Sequence, residues 1–192
     1  NGYFVLPPEQ PTLAETFAAA GYDTAAFVSA FVLDRQMGLA QGFAHYDDRL
    51  DRGAAAGPAL DLERRGDRTV QAAEAWLAAR AADRPYFLWV HLFDPHEPYA
   101  APSPFREQFA AAPYDGEIAF TDTLVGQLLA RTGAPGPGTL VVVAGDHGES
   151  LGAHGESTHG LFVYDAALRV PLIMAGAGVP SGTVVRAPVH LA

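Results

Sequence analysis

The sequence predicts an α/β fold, with a mainly parallel sheet and helices on both faces. Three observations lead to this prediction. Short apolar runs rich in β-branched and aromatic residues alternate with helical patterns along the chain. The clearest run, Leu140–Val143, contains no polar residue, as in a strand buried on both faces. The 192 residues suffice for one domain, but the pattern stops near His190 without a terminal helix, so we expect a partial domain truncated at both ends, spanning residues 1–192.

The first expected elements are a helix and a strand. Thr12 and Glu15 have the spacing of a capping box, and Gly21 supplies the stop signal, so we expect a helix between them. The apolar run Thr24–Val32 predicts the first strand. Residues 34–67 are polar and weakly periodic, which indicates a surface loop.

The rest of the chain continues the alternation of helix and strand. We expect, in order, a helix over about Arg68–Ala82, a strand over Tyr86–Phe93, a helix over about Asp115–Arg131, the strand beginning at Leu140, a strand over Val170–Ala175 and a last strand over Val184–Leu191.

The charge balance limits the partners. A formal net charge of −10 argues against nucleic acid or an anionic membrane as the main partner. No apolar run approaches the length of a membrane span. All twelve basic residues are arginine, so an anionic substrate would be stabilised by arginine, histidine, backbone amides or a bound metal. The sequence contains no cysteine, which excludes a cysteine nucleophile and a disulfide framework within these residues.

Asp146 and His147 are the strongest candidates for chemistry. They follow the strand that begins at Leu140, and the ligand crevice of an open α/β sheet lies beyond the carboxyl ends of its strands. The flanking residues Gly145 and Gly148 allow a turn that brings two adjacent side chains together. A carboxylate and an imidazole suit a divalent metal, so we interpret this pair as half of a metal site rather than as a local cap.

Three other histidines are candidates for the same chemistry. His96 follows the strand Tyr86–Phe93 and could act as a general acid or base, or donate to an anionic substrate; an inconsequential loop histidine is an equal alternative. His154 and His159 lie on a glycine-rich loop after the Asp-His pair. Each could be a metal ligand or a donor to the transferred group, or part of a loop without function.

The remaining polar features have simpler interpretations. We expect His91, His190 and His45 to be core histidines without a catalytic role. Asp47, Asp48 and Asp51 form an acidic cluster, for which a solvated loop is favoured over a cation site.

A nucleophile is missing from the pattern. Ser150 and Ser157 have no distinguishing context, and no serine lies in a Gly-x-Ser-x-Gly elbow. Either a metal-bound water attacks the substrate or the nucleophile lies outside these residues.

Several motifs together resemble the sulfatase family of the alkaline-phosphatase superfamily. They are Leu13-Ala14-Glu15-Thr16 running to Gly21-Tyr22-Asp23-Thr24, Asp94-Pro95-His96-Glu97-Pro98-Tyr99, Asp146-His147-Gly148-Glu149, His159-Gly160 and Arg169-Val170-Pro171. They extend over nearly the whole chain and occur in the order found in that family.

The resemblance implies hydrolysis of sulfate esters, on a small molecule or a glycan, with one divalent cation. Calcium is the usual cation, with manganese or zinc as alternatives. The attacking group would be formylglycine, made from a Cys/Ser-x-Pro-x-Arg motif expected upstream of residue 1. The resemblance further implies that Asp146 and His147 are metal ligands, that His96 contacts the sulfate or protonates the leaving group, and that His159 holds a sulfate oxygen. An exported or periplasmic location is also implied.

Two departures from the sulfatase pattern keep alternative functions open. Many arylsulfatases carry lysine and histidine near the positions of Ser29 and Phe31. The Asp-His-Gly sequence beginning at Asp146 also occurs in phosphonate monoester hydrolases, phosphodiesterases and phosphoethanolamine transferases. The alternatives are therefore phosphoryl chemistry of this second kind, or a non-catalytic fold that binds a metal or an anion.

Overall fold

The computed structural model describes residues 4–50 and 62–190. The chain divides into two compact units, residues 1–128 and 129–192, which are described one at a time. The expectation of one partial domain over the whole chain stays a prediction. No helix in the described part of the chain is long and apolar enough to cross a membrane.

The first unit is built on a three-stranded parallel sheet. Its strands are β1 (Asp23–Phe27), β2 (His45–Asp47) and β3 (Tyr86–Val90), in the order β2-β1-β3. Four consecutive residues of the central strand, from Thr24 to Phe27, are fully buried, as expected for a strand with both faces covered. The predicted α/β class with a parallel sheet is confirmed.

Helices cover both faces of this sheet. On one face Ala73 and Trp76 of α2 (Gly66–Ala79) pack with Phe27 of β1. On the other face Phe17 of α1 (Leu13–Ala19) stacks on Phe87 of β3, with ring centroids 4.6 Å apart. Alternate residues of a strand point to opposite faces, which explains how neighbouring residues meet different helices.

Two more helices complete the first unit up to residue 128. They are α3 (Phe105–Gln108) and α4 (Pro113–Thr132), of which α4 places Phe120 and Leu124 against Val70 of α2. The predicted capping box of α1 is present, because the Thr12 hydroxyl accepts the Glu15 N–H and the Glu15 carboxylate accepts the Thr12 N–H.

The structure corrects two boundaries in this unit. The first strand ends at Phe27 instead of Val32, because the chain bends into a 3₁₀ turn over Phe31–Leu33. The polar stretch 34–67 was expected to be loop, but it contains β2 and the start of α2. Three residues are too few to produce a periodic signal, so β2 could not be recognised from its sequence.

The predicted acidic cluster is paired with arginine instead of being solvated. Asp47 is buried and accepts hydrogen bonds from Arg49 and from Arg64, whose Nη1 lies 2.8 Å from Oδ1. Asp48 accepts a bidentate pair of hydrogen bonds from Arg35. Asp51 lies outside the described residues. The interpretation as a solvated loop is therefore wrong for Asp47.

Two of the three histidines expected in the core are exposed. His45 lies exposed on β2, with its ring 5.2 Å from that of Phe27, and His190 is also exposed. His91 is half-buried directly after β3, where its N–H donates to the Phe27 carbonyl. An edge strand leaves one side uncovered, which explains the exposure of His45.

The second unit contains an antiparallel pair, β4 (Leu140–Ala144) and β5 (Leu172–Gly176), and the short helix α5 (Asp165–Leu168). The expected strands at Leu140 and Val170–Ala175 are present, with small shifts. β4 is not the buried strand predicted, because Leu140 and Val142 are about half exposed and only alternate residues are covered. No strand occurs over the described residues 184–190, so that prediction is wrong.

Candidate functional site

Asp146 and His147 lie on a tight turn directly after β4, as predicted. The turn is anchored on both sides, by the Gly145 N–H on the Pro171 carbonyl and by the Gly148 N–H on the Ala167 carbonyl. A Cβ at residue 148 would lie 2.0 Å from the Ala166 carbonyl oxygen. Glycine is therefore required at 148 by this close approach of two backbones.

The side chains of this pair are open to solvent and adjacent. The Asp146 side chain is 79% exposed, and its Oδ2 lies 3.8 Å from His147 Nε2. His147 Nδ1 lies 3.0 Å from the Gly148 carbonyl oxygen, which can only accept, so Nδ1 carries the proton. Nε2 is then the nitrogen with the lone pair, on the side where the Asp146 carboxylate lies.

His159 joins this pair through its ring. The rings of His147 and His159 stack with centroids 3.9 Å apart. His159 Nδ1 lies 3.3 Å from both carboxylate oxygens of Glu149, whose side chain is only 5% exposed. The buried carboxylate of Glu149 thus orients the His159 ring by accepting its Nδ1–H. The structure brings together three of the predicted residues, Asp146, His147 and His159, and adds Glu149.

A second buried glutamate holds the loop that carries His159. Glu156 accepts hydrogen bonds from the backbone N–H groups of Leu161 and Phe162 and from the Ser150 hydroxyl. The Leu161 N–H is the main reason why the pKa of Glu156 is lowered. His154, on the same loop, stacks on Tyr164 with ring centroids 3.8 Å apart and is exposed. The structure therefore pairs His154 with Tyr164, and His159 with His147.

His96 lies on the loop that follows β3 in the first unit. Its ring stacks on Phe93, with centroids 4.0 Å apart. His96 Nδ1 lies 2.7 Å from the Glu97 carbonyl oxygen, so Nδ1 carries the proton and Nε2 is the nitrogen that can gain and release one. A defined tautomer and a stacked ring suit a histidine that transfers a proton.

A half-buried carboxylate, Asp94, and a buried one, Glu117, hold this loop against helices. Asp94 Oδ2 accepts the Gly66 N–H at the start of α2, and burial is the main cause of the raised pKa of Asp94. Glu117 of α4 accepts the N–H groups of His96 and Ala100. Burial also raises the pKa of Glu117, partly offset by these two hydrogen bonds.

Sequence reasoning missed Glu117 and Glu149. Glu117 had a detectable signal, because it lies on the same helical stripe as Phe120 and Leu124, where a carboxylate interrupts an otherwise apolar face. The only sequence signal for Glu149 was its position three residues after Asp146. Its contact with His159 depends on the fold of the intervening loop, which no local pattern predicts.

Ser29, found near a position where many arylsulfatases carry a lysine, is buried in a polar network. Its hydroxyl donates to the His91 carbonyl and lies 2.7 Å from the Thr69 hydroxyl, which in turn accepts from Arg64 Nε. Because Ser29 uses its single proton on the carbonyl, Thr69 must be the donor between the two hydroxyls. Ser29 therefore stabilises the end of β1.

The donor set fits half of a metal site. Asp146 offers a carboxylate and His147 an Nε2 lone pair, with the other ring nitrogen hydrogen-bonded as in metal-ligating histidines. Over residues 4–50 and 62–190, no group of three or more His, Cys, Asp or Glu side chains is arranged to hold a metal ion. Further ligands would have to come from outside this set.

Comparison with known proteins identifies similar sequences and folds. The sequence model of the sulfatase family matches residues 1–192. No curated protein sequence matches the chain. Among solved structures, the phosphonate monoester hydrolase of Agrobacterium radiobacter is 18% identical, with a TM-score of 0.65 over 90% of this chain and 54% of that one.

Two further structures are similar at the same level. A 2-O GAG sulfatase is 19% identical, with a TM-score of 0.64 over 92% of this chain and 48% of that one. A protein solved in complex with its substrate, D-glucosamine-2-N,6-O-disulfate, is 15% identical, with a TM-score of 0.66 over 92% of this chain and 57% of that one. At such identities the likeness concerns the fold alone. The chain spans about half the length of these proteins.

Proposed function

Because the chain belongs to the sulfatase family, we propose that the full-length protein is a metal-dependent hydrolase of sulfate esters. The observation that carries this proposal is the arrangement after β4, where His147 and His159 stack beside Asp146 and a buried Glu149. It supplies a carboxylate and two oriented imidazole rings around one solvent-open turn. Such groups suit the stabilisation of a transferred anionic group.

In this proposal Asp146 and His147 are two ligands of one divalent cation, with calcium preferred. Members of the superfamily typically bind a divalent metal. Carboxylate oxygens suit calcium, and the imidazole leaves manganese or zinc as alternatives. When bound, the cation would stabilise negative charge on the group being transferred.

The histidines would handle the proton and the anionic oxygens. His96, with its proton fixed on Nδ1, would give a proton from Nε2 to the leaving-group oxygen. His159, whose Nδ1–H is donated to Glu149, would as an imidazolium hold a sulfate oxygen through its Nε2–H. The substrate would be a sulfate ester of a small molecule or a glycan. We place the nucleophile, a formylglycine, in the segment that precedes residue 1.

Peptide mapping by mass spectrometry of the full-length protein tests the nucleophile. A Cys/Ser-x-Pro-x-Arg motif with its first residue oxidised to formylglycine is expected. An unmodified threonine or serine at the corresponding place would exclude the formylglycine mechanism.

Calorimetry tests the metal site separately. Asp146→Ala in the full-length protein should abolish tight binding of Ca²⁺, because one of the charged ligands is lost. Asp165→Ala, which removes an exposed carboxylate at the start of α5, is the matched control and should bind as the wild type does. Wild-type affinity in Asp146→Ala would contradict the assignment.

Phosphoryl chemistry is the second candidate function. It is favoured by Asp146-His147-Gly148, since the Asp-His-Gly sequence also occurs in phosphonate monoester hydrolases, and by the fold shared with one such enzyme. Hydrolysis of an aryl phosphonate or a phosphodiester in preference to an aryl sulfate would establish it. A protein that turns over none of these substrates would be a binding fold without catalysis.

A further inference from the structure

Glu117 uses its carboxylate to fasten both ends of the short segment that begins with His96. Oε2 accepts the backbone N–H of His96 at 3.0 Å, and Oε1 accepts that of Ala100 at 2.6 Å. The residue is only 4% exposed. One rigid side chain of α4 therefore fixes the start and the end of the segment 96–100.

The same helix holds this loop at a third point. One turn after Glu117, the Thr121 hydroxyl donates to the Asp94 carbonyl at 3.2 Å. The Asp94 carboxylate in turn accepts the Gly66 N–H at 2.9 Å. The loop is thus held between α4 and α2, and Glu117 makes the bond to the backbone of His96 itself.

Burying the Glu117 carboxylate to hold this loop costs free energy of desolvation. Removing an ionised carboxylate from water is unfavourable unless hydrogen bonds replace the lost hydration, and Glu117 receives one bond on each oxygen. An apolar residue at this position would continue the apolar stripe formed by Phe120 and Leu124. The carboxylate therefore contributes geometry that an apolar side chain could not.

From this geometry we propose that Glu117 is a positioning residue for His96. It rests on the proposed function, in which His96 protonates the leaving group. Because the N–H of His96 itself is bound, the Cα of His96 and the base of its side chain are held directly. Loss of this bond would displace the imidazole, and a displacement of about 1 Å can cost about 10²-fold in rate.

Glu117→Gln is the most informative variant. A glutamine has nearly the same shape, but its NH₂ group would face one of the two backbone N–H groups, so that one bond is lost together with the charge. Glu107→Gln is the matched control, because Glu107 is an exposed glutamate of α3, with a side chain 55% exposed. Glu117→Asp keeps the charge but is too short to reach both N–H groups.

The experiment is a double-mutant cycle in the full-length protein, using an aryl sulfate as the substrate. We expect Glu117→Gln to lower kcat by about 10- to 100-fold with a smaller change in KM. His96→Ala should lower kcat by about 10²- to 10⁴-fold. Adding Glu117→Gln to His96→Ala should cause little further loss, since both act through one group.

Distinct results separate this inference from the proposed function. Unchanged turnover in His96→Ala would overturn the role of His96. A large loss in His96→Ala with independent, multiplicative losses in the double variant would overturn the positioning role of Glu117. Turnover of Glu117→Gln equal to that of Glu107→Gln would overturn it as well.

A spectroscopic readout tests the positioning without activity. The imidazole resonances of His96 should shift or broaden in Glu117→Gln, while those of His159 and all histidine resonances in Glu107→Gln stay unchanged. Unchanged His96 resonances would refute the inference. If Glu117→Gln fails to fold, as judged by thermal unfolding, the same comparison with Glu117→Asp decides the question.

Discussion

Replacing Arg64 by methionine should leave the buried carboxylate of Asp47, in the first unit, without its buried ion-pair partner. Arg64 is 5% exposed and donates to Asp47 Oδ1 at 2.8 Å, to the Val28 carbonyl at 2.9 Å and to the Thr69 hydroxyl at 2.9 Å. The Asp47 side chain is 2% exposed, so its charge has little access to water. Among the side chains that the structure describes, only the largely exposed Arg49 would then pair with it.

The expected cost can be estimated from these contacts. Removing one partner of a buried ion pair typically destabilises a protein by about 3–5 kcal/mol. Since Arg49 still compensates part of the charge, we expect about 3 kcal/mol for Arg64→Met. Arg106→Ala, which breaks an ion pair with both side chains more than half exposed, should cost less than about 1 kcal/mol.

The free energy of unfolding can be measured by urea titration, with the fluorescence of Trp76 and Trp89 as the probe. Adding Asp47→Asn to Arg64→Met should restore part of the stability, because it removes the stranded charge while keeping the shape of the side chain. A cost below about 1 kcal/mol for Arg64→Met would refute the reasoning. A double variant less stable than Arg64→Met would refute it too.

Two other predictions concern the second unit and its pH dependence. Gly148→Ala should destabilise the protein by about 1–3 kcal/mol, because the new Cβ would meet the Ala166 carbonyl at 2.0 Å; Gly126→Ala, in open space on α4, should instead stabilise it by up to about 1 kcal/mol. Thermal unfolding of both variants checks this, and equal shifts would contradict it. The pKa of Glu156 is lowered in the folded protein by a loop N–H, so its stabilising effect is present above the ordinary pKa of about 4.3 and is lost as the pH falls below it. The melting temperature of Glu156→Gln should therefore fall less between about pH 6 and pH 3 than that of the wild type, and parallel falls would show that Glu156 does not contribute.

Local sequence patterns predicted the structure correctly where all the residues that form a feature lie in one short segment. The capping box of Thr12 and Glu15 is complete within four residues, and it forms as predicted. The turn after β4 was also predictable, because an apolar run followed by Gly145 and Gly148 defines a strand end. The placement of Asp146 and His147 followed from that.

The rest depended on contacts between distant segments. β2 exists because residues 45–47 pair with β1, although their own sequence has no strand pattern. Glu117 lies 21 residues from His96, and its role arises from the way α4 lies against the loop. The antiparallel direction of β5 was missed for a similar reason, since periodicity predicts a strand without its orientation.

The central claim is tested most directly by the kcat/KM of the full-length protein toward an aryl sulfate and the matching aryl phosphonate monoester, with Ca²⁺ supplied. The proposed function predicts that the sulfate ester is preferred by at least about 10²-fold, with the preference reflecting differential transition-state stabilisation. A preference for the phosphonate ester, or no turnover of either substrate, would contradict it.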